Sequence, residues 1–261
     1  MKSLRFRQHY FIFLLAAGSF YSTSVYGMEF EFSAAVGLGQ RFSDTFDRRW
    51  QSVRKDVTQS NSTVTNTGLK YLREFYAAQS EFYISPFYRN FFGLWFSYNA
   101  SITPAKRSYT IANVTSSWSF DIQSMIVGIA YKFYFDGELK DLYIASALGL
   151  NLTTANISFT EGSITSSASF SRVSGPMFNA RIGSIFAKIE PVEFFAEVGI
   201  ESSFYSDFEG TSSDGKTVTL KYNDTFLIPF NESNDSQSGG YDSAAVWNTS
   251  LIARVGLLVR F

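Results

Sequence analysis

The sequence predicts an all-β fold, a transmembrane antiparallel up-and-down β-barrel of eight strands, from three observations. Apolar residues recur at every second position along eight segments, which is the pattern of strands with one apolar face. Long polar stretches and short turns separate these segments alternately, as extracellular loops and periplasmic turns do in such barrels. No apolar run outside the first 27 residues approaches the roughly 20 residues of a membrane-spanning helix, so the chain must cross a membrane as a closed sheet.

Residues 1–27 are predicted to be a cleaved signal peptide. Three basic residues precede an apolar run from Tyr10 to Ala17, and a short polar stretch ends at Gly27. The apolar run is too short to act as a membrane anchor. We therefore expect residues 28–261 to form the barrel domain. Removing the signal lowers Lys plus Arg from 22 to 19 against 23 acidic residues, a net charge of −4.

The composition narrows the chemistry that the barrel domain can perform. The chain has no cysteine, which excludes disulfides, thiol chemistry and acylation at an N-terminal cysteine. Its single histidine, His9, lies in the predicted signal peptide, so structural zinc is also excluded from the mature chain. No basic patch suggests nucleic-acid binding. We expect no metal and no cofactor.

Strands one to four are predicted in the first half of the barrel domain. Strand one begins at residue 28 and has one apolar face: Met28, Phe30, Phe32, Ala34, Val36 and Leu38. Strand two covers residues 79–89, where Pro86 removes a ladder donor and predicts a bulge. Strand three covers residues 92–102. Strand four covers 118–135, and its apolar positions change from even to odd numbers, which predicts a bulge near Ser124. Residues 43–70 and 103–117 are predicted to be polar loops.

Strands five to eight follow the same alternation. They are predicted at residues 142–152, 178–187, 194–201 and 246–261. Residues 153–175 and 202–245 are predicted to be long loops, the second containing a hairpin after Asp214-Gly215. Ten strands are the alternative to eight if one long loop inserts as an extra hairpin. Aromatic residues cluster at the short turns and predict a periplasmic girdle, whose members would be Phe30, Phe87, Tyr88, Phe91, Phe92, Phe133, Phe135, Phe186, Phe194 and Phe261. An outer girdle is predicted from Tyr98, Trp118 and Trp247.

The last strand distinguishes a membrane barrel from a soluble sandwich. Its apolar face ends on the terminal residue, Phe261, whereas its other face carries Arg254 and Arg260. A sandwich core would exclude these arginines, but a barrel lumen can hold them. A soluble exported β-sandwich is therefore the less favoured alternative to a membrane barrel.

These features resemble the superfamily of small eight-stranded outer-membrane proteins, such as the OmpA transmembrane domain, OmpX and the opacity proteins. The resemblance covers the whole mature chain and rests on the alternation, the loop lengths and the terminal Phe261. It implies a monomer in the bacterial outer membrane, in contact with outer-membrane lipid or lipopolysaccharide. It also implies that the barrel assembly machinery recognises the C-terminal strand through Phe261.

Inward-facing charges form two candidate clusters. Strands six, seven and eight carry the first at similar depth, and its members are Arg181, Glu197, Glu201 and Arg254. The second is expected near the periplasmic end, and its members are Glu29, Glu31, Arg89 and Arg260. Buried charges are normally paired, which favours a structural filling of the lumen. A polar channel lining is the alternative.

Two functions remain open at this stage. The first is a structural or surface-interaction (adhesin-like) role, in which the long extracellular loops contact host or envelope macromolecules. The alternative is a narrow porin-like channel for ions or small solutes. Bulky inward residues, Trp95, Tyr143 and Phe195, favour the first. We do not expect an enzyme, because barrel enzymes rely on histidine and the Cα atoms of Glu197 and Glu201 should be about 13 Å apart.

Overall fold

The computed structural model describes residues 28–42, 46, 47, 50, 65–87, 89–111, 114–206, 208–222, 227–232, 242–243 and 246–261. The predicted signal peptide and Tyr88 lie outside these residues. No helix among the described residues is long and apolar enough to cross a membrane. The strands are β1 (Glu29–Phe42), β2 (Thr65–Lys70), β3 (Glu74–Phe87), β4 (Asn90–Ser101), β5 (Ala105–Ile111), β6 (Val114–Tyr134), β7 (Leu142–Glu161), β8 (Ile164–Ile189), β9 (Val192–Tyr205), β10 (Glu209–Ser212), β11 (Thr217–Tyr222), β12 (Leu227–Glu232), β13 (Asp242–Ser243) and β14 (Val246–Arg260).

Eight of these strands close an antiparallel barrel, which confirms the predicted fold class and strand number. Its order around the barrel is β1-β3-β4-β6-β7-β8-β9-β14. β14 then pairs with β1 from Glu31↔Arg260 to Phe42↔Thr249 and closes the sheet. The backbone of Phe261 adds two further hydrogen bonds to Phe30, of 2.9 and 3.1 Å. Closure leaves no free edge in the membrane, where an unpaired backbone group would be costly.

The barrel wall continues far beyond the membrane on the side of the long loops. β6 has 21 residues, which at ~3.4 Å per residue and a ~40° tilt span about 55 Å, twice the ~25 Å apolar band of such barrels. Beyond the band, β6, β7 and β8 belong to an extracellular sheet with the order β12-β11-β10-β8-β7-β6-β5-β2. Residues 105–111, 114–117 and most of 153–175 are therefore strands, not the predicted polar loops. Their outer face is polar because it meets water instead of lipid.

The predicted bulge near Ser124 is wrong. The pairing of β6 with β7 is uninterrupted from Ser116↔Glu161 to Tyr134↔Tyr143. Even-numbered residues of β6 face the interior from Ser116 to Tyr134, and these include Phe120 and Ile122. The apolar positions change phase because the interior itself changes from polar to apolar along the barrel axis. By contrast, the pairing of β3 with β4 shifts between Ile84 and Phe87, which confirms the bulge at Pro86.

The extracellular sheet encloses an apolar core of its own. Its buried members are Phe46, Trp50, Leu72, Ala105, Tyr109, Trp118, Phe120, Ile122, Ala155, Ile157, Phe159, Ala168, Phe170, Val173, Tyr205, Phe208, Val218 and Leu220. The hairpin predicted after Asp214-Gly215 is confirmed: β10 pairs with β11, whose Val218 and Leu220 enter this core. Trp118 is 1% exposed, so its assignment to the outer girdle is wrong.

The outer wall of the barrel carries an apolar band. Among its most exposed residues are Val36, Leu38, Leu94, Val127, Ile129, Leu148, Leu150, Ile182, Val198 and Val255. Tyr76, Tyr98 and Trp247 are exposed at its extracellular border, and Phe92 and Phe186 are exposed at the other border. Phe91 is 2% exposed and points inward, which corrects its placement in the periplasmic girdle. The apolar band identifies the wall as lipid-facing.

Replacing Leu148 by arginine should test the position of this band. Leu148 lies on the lipid side of β7, near the middle of the band, so Leu148→Arg should lower the free energy of unfolding by about 2–4 kcal/mol. Asn156 is exposed on the same face of β7, eight residues nearer the extracellular end. Asn156→Arg should change stability by less than about 0.5 kcal/mol. Urea titrations in phospholipid vesicles measure both; equal losses would contradict the inferred membrane position.

Candidate functional site

Eight charged side chains meet inside the membrane-spanning half of the barrel. They reach the lumen because each occupies an inward position of its strand: Glu31 on β1, Glu81 on β3, Lys132 on β6, Arg181 on β8, Glu197 and Glu201 on β9, and Arg254 and Arg260 on β14. Seven of the side chains are buried, and that of Arg260 is 32% exposed at the periplasmic end. Four of these groups are acidic and four are basic, and Arg260 also pairs with the partly buried Glu193 over 3.3 Å.

Two arginines and Glu197 form the centre of this network. Arg181 Nη1 donates to Glu197 Oε1 over 3.1 Å, and its Nη2 donates to Glu81 Oε1. Arg254 Nη1 lies 3.4 Å from Glu197 Oε1, and its Nη2 donates to Glu201 Oε2. Each guanidinium therefore bridges two carboxylates, a use for which its planar fork of donors is suited.

Neutral donors complete the hydrogen bonding of the two β9 carboxylates. Glu197 accepts from Gln79 Nε2 at 2.8 Å and from the Tyr143 hydroxyl at 3.1 Å. Glu201 accepts from the side-chain amides of Asn99 and Asn179, both at 3.1 Å. A buried ion pair stabilises a fold only when its remaining lone pairs are satisfied in this way.

Lys132 connects the centre to the periplasmic end. Its Nζ atom lies 2.5 Å from Glu31 Oε1 and 3.7 Å from Glu81 Oε2. The same ammonium lies 4.5 Å from the centre of the Tyr83 ring, a distance at which cation–π attraction operates. Glu31 Oε2 accepts from the Tyr134 hydroxyl at 2.7 Å and from Arg260 Nε at 3.2 Å. The charges thus alternate in sign along one connected chain from Arg260 to Glu201.

The structure brings together some of the residues that the sequence grouped. Arg181, Glu197, Arg254 and Glu201 are joined in that order by ion pairs. Of the second group, Glu31 and Arg260 are in contact, whereas Glu29 and Arg89 do not join them. Glu29 is exposed at the start of β1, and Arg89 lies in the turn between β3 and β4. Arg89 has a φ of 67°, and its guanidinium pairs with the exposed Asp136 of the next periplasmic turn. Hydrogen bonding to Arg89 holds the pKa of Asp136 below its ordinary value.

Sequence reasoning missed Glu81 and Lys132 as members of the network. Both were detectable from the period-two pattern, since Glu81 alternates with inward Tyr83 and Lys132 alternates with inward Ala130 and Tyr134. In the sequence, Lys132 interrupts the apolar run of residues 125–135. Without these two residues the chain of charges is incomplete, because they link Glu31 to Arg181.

Aromatic side chains fill the lumen around the charges. Trp95, Tyr143 and Phe195 are each fully buried. Glycines on neighbouring strands make room for two of them: a Cβ atom at Gly183 would lie 2.2 Å from the Tyr143 ring, and one at Gly256 would lie 2.7 Å from the Phe195 ring. No group of three potential ligands that could hold a metal ion occurs among the described residues.

The closed order of eight strands, the apolar outer wall and the buried ionic lumen define the class: this is an eight-stranded transmembrane β-barrel. It has the architecture of the small eight-stranded outer-membrane proteins that the sequence resembles. No protein-family model matches the chain, and no curated protein sequence matches it.

Three solved structures illustrate the level of similarity to known proteins. A major outer membrane protein from Thermus thermophilus has a TM-score of 0.42 and 10% identity over 90% of this chain and 100% of that chain. Neisserial surface protein A has a TM-score of 0.37 and 12% identity over 90% and 100%. The outer membrane protease OmpT from Escherichia coli has a TM-score of 0.37 and 8% identity over 92% and 99%. The assignment to the class rests on the strand order and the apolar wall, not on these values.

Proposed function

We propose that this protein is a non-conducting, non-enzymatic barrel of the bacterial outer membrane that has a structural and surface-interaction role. The observation that carries the proposal is a lumen filled along both the membrane-spanning and the extracellular halves. A residue 1–27 signal peptide, a monomeric state and recognition of Phe261 by the barrel assembly machinery belong to the same proposal.

The ionic network in the membrane-spanning half supports the proposal of a non-conducting barrel. An eight-stranded barrel is just wide enough for side chains to fill its interior. Here every carboxylate of the network contacts a cation, and Trp95, Tyr143 and Phe195 occupy the space beside them. A permeating ion would have to displace partners that are held in a desolvated cluster of ion pairs, which is unlike the water-filled lumen of a porin.

The apolar core of the extracellular half also supports the proposal. The Trp118 and Phe159 rings lie 4.3 Å apart, and Phe46, which follows β1, packs 5.1 Å from Phe120. The apolar side chains of this core offer a hydrated ion no hydrogen-bonding partners, so they resist permeation. The same core holds the extracellular hairpins of β5–β6, β7–β8 and β10–β11 in fixed positions. These hairpins are the surface on which host or envelope macromolecules would be contacted.

Planar-bilayer recording of the purified, folded protein tests the proposal against the channel alternative. We expect no reproducible single-channel steps, whereas a porin measured in the same membranes should give stepwise currents. Reproducible single-channel steps from pure protein would favour the narrow channel over the structural and surface-interaction role. A separate fractionation experiment tests the location: we expect the protein in outer-membrane fractions, and solubility without detergent would contradict the membrane barrel.

A further inference from the structure

A polar concavity lies on the outside of the barrel wall, separate from the lumen. Its volume is about 270 Å³, and it is formed where β6, β7, β8 and β10 run side by side in the extracellular sheet. Its polar lining residues are Ser119, Asp121, Asn156, Ser158, Ser167, Ser169, Thr211, Ser212 and Ser213, and its apolar ones are Ile157 and Ala168. The backbone of Ser213 donates to Ser167 O over 2.7 Å, which fixes one side of the concavity.

The side chains of the concavity form a regular array. Cross-strand pairing places Ser119 beside Ser158 and Ser158 beside Ser167. A second row places Asp121 beside Asn156, and Asn156 beside Ser169, which is followed by Thr211. Neighbouring members of a row are separated by the ~4.8 Å strand spacing, and the two rows by two residues, ~7 Å. The array therefore presents hydroxyl, amide and carboxylate groups on a fixed scaffold.

Most of these groups have hydrogen-bonding capacity to spare. Within the described part of the chain, the side chains of Ser119, Asn156, Ser158, Ser169 and Thr211 make no hydrogen bond to protein. Asp121 Oδ1 accepts only from the adjacent Ile122 amide, at 2.9 Å. The lining contains no aromatic and no basic side chain, and Ile157 and Ala168 supply apolar surface between the polar groups. Its groups match a neutral compound that is rich in hydroxyls, such as a sugar.

The height of the concavity indicates what it faces. Asp121 and Asn156 lie four residues beyond Met125 and Leu152, the last apolar residues of β6 and β7 on the lipid side. At ~3.4 Å per residue and a ~40° tilt, this is about 10 Å above the hydrocarbon boundary. The concavity opens sideways at this height, so it faces the headgroup layer of the membrane.

We propose that this concavity, the β6–β10 groove, binds a neutral saccharide unit, with the sugar region of an outer-leaflet glycolipid as its occupant. Asp121 accepts hydrogen bonds from sugar hydroxyls, and Asn156 and the serines donate to and accept from the same ring. Lys106, exposed and paired with Ser119 on the neighbouring β5, borders the groove and is placed to contact a glycolipid phosphate. This inference rests on the outer-membrane location in the proposed function.

Saccharide titration of the folded, full-length barrel in detergent tests the groove. The probes are a lipid-free neutral hexose core oligosaccharide, released from lipopolysaccharide, and lactose as a glycan foreign to the membrane. We expect saturable binding of the core oligosaccharide by saturation-transfer NMR, with weaker binding of lactose. Tighter binding of lactose would overturn the glycolipid as occupant. Absence of saturable binding by both probes would overturn the groove as a saccharide site.

Two variants and a matched control separate the groove from nonspecific contact. Ser119→Tyr fills the groove and Asp121→Asn removes its carboxylate while keeping its shape; each should weaken binding about tenfold or more. Ser117→Tyr makes the same change two residues away on the same outer face of β6, outside the groove, and should leave binding unchanged. Equal binding by all three variants would overturn the proposal. Conductance is measured independently, so a conducting barrel would refute the proposed function without affecting this result.

Discussion

Replacing Arg181 by methionine is expected to lower the free energy of unfolding by about 3–5 kcal/mol, the cost of leaving buried charges without their partner. Arg181 is the only link between Glu81 and Glu197 among the described contacts. Methionine fills much of the volume but donates no hydrogen bonds. Glu81 would keep only Lys132 at 3.7 Å as a basic partner. The predicted loss is therefore electrostatic in origin and not a loss of volume.

Urea unfolding of the barrel in detergent micelles measures this change in the free energy of unfolding. Two further variants serve as comparisons. Lys188→Met removes an exposed ion pair with Asp141 at the periplasmic turn and should cost less than about 1 kcal/mol. The double variant Arg181→Met/Glu81→Gln removes both charges and should recover part of the loss, because no uncompensated carboxylate remains at that position. A loss in the single variant no larger than that of Lys188→Met would contradict the buried network.

Replacing Trp118 by alanine is expected to destabilise the extracellular sheet by about 3–5 kcal/mol through the cavity it leaves. The indole is 1% exposed, packs against Phe159 and donates from Nε1 to the Tyr109 hydroxyl over 3.3 Å. The loss should be local. The ionic network and the lipid-facing wall lie in the other half of the barrel and do not contact Trp118, so the membrane-spanning half should stay folded.

Limited proteolysis from the extracellular side distinguishes a local from a global effect. Trp118→Ala should expose cleavage sites between residues 105 and 119, while the barrel still shows the gel mobility of a folded protein before heating. Trp247→Ala is the matched control, because this tryptophan is 60% exposed at the border of the membrane and contributes nothing to the extracellular core. Protease resistance equal to that of the unchanged protein would show that the extracellular hairpins do not depend on this core.

The sequence predicted the barrel because its main signal is local. Alternation of apolar and polar residues identifies the lipid-facing side of a strand, as the exposed Val36, Leu148 and Val255 show. The same rule failed above the membrane. There the outer face is solvated and the inner face is apolar, so the inward Phe120 resembled a lipid-facing residue. Strands such as β7 beyond residue 153 resembled loops because their outward side chains are polar.

For the candidate site, the sequence predicted which charged side chains face the lumen, but not all of the pairs that they form. Arg181, Glu197, Glu201 and Arg254 were found because they occupy inward positions on consecutive strands near one another in the sequence. Lys132 and Glu31 are 101 residues apart, and Arg260 and Glu31 are 229 apart. Contacts over such separations depend on how strands from the two ends of the chain are aligned around the closed barrel.

The amino-acid sequence by itself therefore determined the strand class and the presence of charges inside the membrane strands, because side-chain direction follows from a two-residue period. It favoured eight membrane strands without excluding ten. The tertiary structure decided which charges are partners, where the lumen changes from ionic to apolar, and how far the wall extends beyond the membrane. The physical reason is that closure and stagger of the sheet set the depth of every inward side chain, and depth, not direction, decides which groups touch.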